Sequence, residues 1–277
     1  MEEKFPKGSA NWISEWSSMK KSRSPNKKHE IFKSQKRSYR NLVVKEHLVN
    51  FRVTVKETDL FVQALKSLED ITRELILEKR GYIENYIKRY PEFARTLRPW
   101  RVQGPEPVIV NEMALAGEKA GVGPMAAVAG AIAEHVGSGL LKHSDEVVVE
   151  NGGDVFLRLK SPVTIGIFAG KSPLSLRMGI CIESRERPIS ICTSSGTVGH
   201  SLSLGKADAV CVVSDSCSLA DAAATSIGNR VTSKTNIQPA IDFGKHIEGV
   251  RGIVVIIGDN VGIWGDLNVV PLKLEKG

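Results

Sequence analysis

Residues 146–159 read Glu146-Val147-Val148-Val149-Glu150-Asn151-Gly152-Gly153-Asp154-Val155-Phe156-Leu157-Arg158-Leu159. Two apolar runs, 147–149 and 155–159, flank an Asn-Gly-Gly-Asp interval, which is the signature of two short strands joined by a tight turn. Paired glycines permit positive φ and also let a ligand lie against the main chain, with Asn151 and Asp154 supplying polar groups beside it. A plain hairpin turn and a ligand-contacting turn fit these four residues equally well.

Toward the C-terminus the same pattern recurs. Strands are expected at 163–168, 179–182, 189–192, 209–213, 253–257 and 267–272, with one helix at 219–227. Hairpin-length gaps between many of them argue for antiparallel pairing, hence an α+β fold rather than a doubly wound parallel sheet. Toward the N-terminus, Ala126, Ala127, Val128, Ala129, Gly130, Ala131 and Ala133 make an unusually small-sided helix, preceded by a helical stretch over 108–120. Phe51, Val53 and Val55 alternate with Arg52, Thr54 and Lys56 as in a half-buried strand. Thr58 or Asp59 is then expected to cap a helix that aligns Phe61, Ala64, Leu65, Leu68, Ile71 and Leu75 on one face. Gly81 marks a break before a second helix over 82–90.

Of the 277 residues, 42% are hydrophobic and 25% charged, a globular balance. The longest weakly polar stretch, 122–133, falls short of the roughly 20 apolar residues of a membrane span, and no secretory signal opens the chain, so a cytoplasmic location is expected. Cys181, Cys192, Cys211 and Cys217 sit mostly within apolar or small-residue runs, form no CxxC pair and read as reduced, buried thiols. The net charge of +7 is concentrated in the basic segment between Lys20 and Arg40. Ser, Pro and Asn interleave those charges and almost no aromatic residue offers a stacking surface, so residues 1–39 are expected to be a flexible extension rather than a nucleic-acid arm. Residues 40–277 are expected to form a single domain.

Three further motifs carry chemistry. Gly121-Val122-Gly123-Pro124 matches a dinucleotide fingerprint only superficially, because a helix rather than a strand precedes it. A glycine turn opening a helix still suits phosphate, and a tight structural turn is an equal alternative. Next, Thr193-Ser194-Ser195-Gly196-Thr197-Val198-Gly199-His200-Ser201 ends a strand in hydroxyls, glycines and one imidazole. Its backbone amides suit an anion, and His200 suits phosphate neutralisation or proton movement. Finally, Asp221 and Thr225 lie one helical turn apart among alanines, an oxygen pair suited to Mg²⁺, although an acidic residue near a helix start is more often simply favoured by the dipole.

Taken in order, the 122–130, 150–154, 193–201 and 220–225 motifs resemble an uncharacterised protein family of archaea and bacteria related to the ApbE flavin transferases. That resemblance implies an α+β fold of T-fold-like halves with mostly antiparallel sheets and packed helices. It implies FAD or FMN as cofactor, Mg²⁺, and transfer of FMN from FAD to a threonine hydroxyl of an acceptor protein. By motif, Asn151, Gly152, Gly153 and Asp154 correspond to the flavin-contacting turn, and Thr193, Ser194, Ser195 and Gly196, with Thr197, to the Thr-Ser-Gly segment. Asp221 and Thr225 correspond to the metal-binding pair, and His200 stands in for a catalytic histidine. The transferases carry a longer insert after Thr-Ser-Gly, ending in a His-x-x-Asp-Pro-x-Thr-Gly element, and this chain has only 197–206 there, with no Asp-Pro. The alternative is a non-catalytic flavin- or nucleotide-binding protein on the same fold. The partners expected are a small phosphorylated ligand, an acceptor protein and a second copy of the chain, with neither membrane nor nucleic acid.

Overall fold

Strands β3 (Val147–Asn151) and β4 (Asp154–Arg158) form a hairpin at the centre of the molecule, with Asn151 opposite Asp154. Gly152 and Gly153 have φ of 68° and 119°, so the two-residue turn itself requires both glycines. The structure is a computed structural model that describes residues 45–196 and 204–272. The chain divides into two units, Met1–Ser38 and Tyr39–Gly277, and all described residues belong to the second.

Around this hairpin an eight-stranded sheet is assembled in the order β1-β2-β3-β4-β7-β8-β9-β10. The added strands are β1 (Val49–Val55), β2 (Thr58–Ala64), β7 (Ile189–Ser194), β8 (Ala209–Ser214), β9 (Val250–Ile257) and β10 (Asn260–Gly265). A second sheet has the order β11-β6-β5, with β5 (Val163–Gly166), β6 (Met178–Ile182) and β11 (Asn268–Pro271). Every pairing among the described strands is antiparallel, as the short connections predicted.

Among the described residues there are five α-helices: α1 (Glu69–Arg89), α2 (Val108–Ala120), α3 (Val128–Leu140), α4 (Cys217–Gly228) and α5 (Ile237–Gly244). One face of the large sheet packs on them in a continuous core that includes Val62, Val149, Phe156, Cys192, Val212, Ile253 and the alanines of α4. The alternate residues Val148, Leu157, Ile189, Cys211 and Val254 are also buried. They face the other way, and so do the buried Val163, Ile165, Ile180 and Ile182 of the small sheet, which share one side of it in register.

Two expectations fail at the N-terminal side. Thr58–Ala64 is a strand, not a capped helix: Leu60, Val62 and Ala64 are fully buried at period two while β1 and β3 pair with its two edges. The helical spacing of Phe61, Ala64, Leu65 and Leu68 is real but competes with two sets of ladder bonds, and the ladder prevails. Gly81 does not interrupt α1, which runs unbroken through it. A glycine there costs about 1 kcal/mol, less than the burial of Ile76, Ile83 and Tyr86 returns.

Candidate functional site

The small side chains of α3 let α4 approach it closely. A Cβ at Gly130 would collide with the Cys217 carbonyl and reach 2.9 Å from the Asp221 Cβ. At this contact the Gly130 amide donates to Asp221 Oδ2 at 2.9 Å, and the Ala129 amide is a second donor to the same carboxylate. These amides belong to the first turn of α3, where no carbonyl of the helix is available to them. The start of α3, which follows the glycine turn and a 3-10 turn over Pro124–Ala127, is therefore occupied by a carboxylate of the chain itself. The turn before it is closed as well, since a Cβ at Gly123 would collide with the Thr96 carbonyl.

Asn151 joins the same place from the end of β3, with Nδ2 donating to the Ala129 carbonyl at 3.0 Å. That bond pins the hairpin turn to α3 and leaves open space around Gly152. Asp154, at the head of β4, points to the helix face and is buried. Burial raises its pKa well above the usual carboxylate range and the neighbouring Asp221 raises it further, against the lowering effect of bonds from the Cys192 thiol and the Thr193 amide. Burial likewise pushes Asp221 up to about 7, partly offset by the two α3 amides. Among the described residues no Lys, Arg or His pairs with either acid.

The 193 segment contributes backbone more than side chain. Thr193 Oγ1 bonds the Cys211 thiol at 3.1 Å, on the sheet face away from the helices, while its amide serves Asp154. Ser194 lies beside Gly228 at the end of α4, and Ser195 is half-buried just beyond the strand. The Gly196 amide donates to the Ala207 carbonyl at 2.9 Å. A Cβ at Gly196 would collide with the Gly205 carbonyl, and one at Gly205 with the Gly228 carbonyl, so the two ends of the hydroxyl-rich segment meet against α4. Thr197 and His200 lie outside the described residues. Thr225 is half-buried, one turn beyond Asp221, and its carbonyl accepts the Asn229 amide.

Asn151, Gly153, Asp154, the 193–194 strand end and Asp221 are thus brought together, although they come from three separate parts of the sequence. Two features had no readable signal. Cys192 and Cys217 meet at 3.5 Å beneath Asp154, and burial raises both thiols, so they are neutral packing groups rather than nucleophiles. Glu134, visible only as the charge that closes an apolar stretch, inserts its carboxylate at the start of α4.

No group of three or more His, Cys, Asp or Glu among the described residues is placed to hold a metal ion. The oxygens of Asp154, Asp221 and Thr225 suit Mg²⁺ only in its commoner arrangement, one or two carboxylates completed by water and ligand phosphates. Two neighbouring acids, one buried and one half-buried, without a basic partner among the described residues also need a proton or a positive charge near them, and such an ion would supply the charge. No helix of the described residues is long and apolar enough to cross a membrane.

The fold as a whole is similar to that of solved ApbE proteins. The apo flavinyl transferase ApbE of Pseudomonas stutzeri superposes with a TM-score of 0.52 at 14% identity, over 78% of this chain and 93% of that one. The flavin transferase ApbE from Vibrio cholerae gives 0.52 at 12% identity, over 78% and 96%. A family model described as AbpE bacteria matches residues 40–258. The UPF0280 protein of Methanocella arvoryzae is 42% identical over 217 residues, which cover 77% of this chain and 87% of the relative. That of Methanococcus aeolicus is 38% identical over 238 residues, covering 83% and 95%. The chain belongs to the UPF0280 family, and its fold is that of the ApbE flavin transferases.

Proposed function

We propose that the chain binds a flavin nucleotide, FAD or FMN, together with Mg²⁺ at the meeting point of the Asn151 turn and α4, and transfers FMN from FAD to a hydroxyl of an acceptor protein. The observation that carries this reading is the pairing of the buried Asp154 with the half-buried Asp221, which have no basic partner among the described residues. The two superposed ApbE proteins, a flavinyl transferase and a flavin transferase, point the same way.

In this reading Asp221 and Thr225 hold the metal with Asp154 beside them, and the metal supplies charge neutralisation to the FAD pyrophosphate. Gly152 and Gly153 let the ligand lie against the turn, and Asn151 keeps that turn fixed on α3. Ser194, Ser195 and Gly196 line the phosphate side, and we assign Thr197, which lies outside the described residues, the same role. The acceptor hydroxyl attacks the FMN phosphorus, the bond to the AMP phosphate breaks and AMP leaves. The hydroxyl proton passes to a base, a role we assign to His200.

A second reading, binding without transfer, is favoured by one observation. Gly196 and Gly205 abut, with only residues 197–204 between them in the sequence, where the transferases carry a longer insert. Incubation with FAD, Mg²⁺ and a threonine-bearing acceptor separates the two. A covalent FMN adduct with stoichiometric AMP supports transfer, Mg²⁺-dependent binding without adduct supports the second reading, and absence of FAD binding removes both.

A further inference from the structure

Beyond the residues proposed to meet the ligand, one half-buried acid, Glu134, is placed between the same two helices. Glu134 lies in α3, one turn after Gly130, and its Oε2 faces the start of α4. That single oxygen accepts the Cys217 amide at 2.9 Å, the Ser218 amide at 3.1 Å, and the Ser216 and Ser218 hydroxyls at 3.2 Å each. Ser216 is already the N-cap of α4, accepting the Leu219 amide at 3.3 Å. Glu134 therefore satisfies helix-start amides that the cap leaves over, and places a carboxylate at the positive end of the dipole.

The two helices are tied at two points one turn apart. Glu134 reaches from α3 to the start of α4, and Asp221 reaches from α4 back to the start of α3. Each carboxylate caps the other helix. A helix held at one point can rotate or slide along its neighbour, whereas two reciprocal bonds fix both motions. We infer that Glu134 is a positioning residue, which sets the register of α4 on α3 and thereby aims the Asp221 carboxylate at Asp154. The inference deepens the metal reading of Asp221 above, and its structural half stands without that reading.

Amide exchange at Gly130 reports the register directly, because this N–H is protected by Asp221. Mn²⁺ binding, followed by the electron paramagnetic resonance of the free ion, reports the site. Glu134→Gln and Glu134→Ala are compared with wild type and with Val163→Ala, a change in β5 away from both helices. Each Glu134 variant is expected to raise Gly130 exchange roughly ten-fold, as expected for loss of a charge-assisted bond. Mn²⁺ affinity is expected to fall about ten-fold, the lower end for a residue that orients a ligand. Val163→Ala, examined at an equal distance below its own melting temperature, should do neither.

Unchanged Gly130 exchange in the Glu134 variants, or an equal rise in Val163→Ala, overturns the inference. If wild type binds no Mn²⁺ while exchange still rises in the Glu134 variants, the positioning role stands and the metal reading fails. Should Glu134→Ala not fold, Glu134→Gln and Ser218→Ala, which removes one donor alone, give the same comparison.

Discussion

Asp154, buried at the head of β4, and Asp221, half-buried in the second turn of α4, are two carboxyls in one electrostatic neighbourhood, each raised above the usual carboxylate range. Their elements are distant in sequence and meet only because the glycine and alanines of α3 let α4 pack closely. Two ionised acids placed this way oppose folding, a cost that the proposed cation would offset.

The first consequence is a pH dependence of fixed sign. Asp221 titrates at about 7 in the folded chain against 3.8 in an ordinary environment. Between those values the folded state keeps a proton that the unfolded state releases, so the contribution is full below about pH 4 and is lost as pH rises through 7. Asp221→Asn removes it. The stability of wild type minus that of Asp221→Asn, from urea unfolding, should fall by up to about 1.4 kcal/mol per pH unit across this window. A flat difference would show that the carboxyl is not desolvated as described.

A divalent cation should reverse that trend. The ion competes with the retained proton, so Mg²⁺ is expected to raise the melting temperature more at pH 8 than at pH 5. In Asp221→Asn the increment should shrink toward zero at both values. Equal increments in wild type and variant would place the metal elsewhere.

Gly130→Ala tests the close approach of the helices. The added methyl has no room before the Cys217 carbonyl, so α4 must move or α3 must bend. A loss of about 1–3 kcal/mol in unfolding free energy is expected, with loss of flavin binding even at temperatures where the variant is folded. Gly81→Ala is the counterpart: nothing lies within 4 Å of the added Cβ, and the helix should gain up to about 1 kcal/mol.

The thiols should differ sharply in reactivity. Cys192, Cys211 and Cys217 are buried, with the Cys211 thiol pushed up to about 12, whereas Cys181 is half-exposed. Iodoacetamide applied to folded protein, followed by peptide mass spectrometry, should label Cys181 first and the other three only on unfolding. Early labelling of Cys192 would contradict the packing under Asp154.

How far the sequence discloses this arrangement depends on whether a signal is local. The β3–β4 hairpin is legible because both strands and both turn glycines are contiguous, and α2 is legible to its ends, closed by Gly121 at φ 71°. β2 is not legible, because its turn places Lys56, a non-glycine, at φ 52° and so leaves no turn signal. α5 is only eight residues long and contains Pro239, and β10 carries Gly262, where a Cβ would collide with Ile237 of α5. Each of these two explains the other, and neither is visible alone. Of the site, Asn151, Asp154, Asp221 and Thr225 can be read as separate motifs. The reciprocal capping by Glu134 and Asp221 is a matter of helix packing, which no spacing along the chain encodes.

The central claim, a flavin nucleotide held with a divalent cation at Asp221, is tested most directly by titrating the purified chain with FAD and following flavin fluorescence with and without Mg²⁺. The account predicts saturable binding of one FAD per chain that requires Mg²⁺ and weakens at least about ten-fold in Asp221→Ala. Binding of equal strength in wild type and Asp221→Ala, or no FAD binding at any Mg²⁺ concentration, would contradict it.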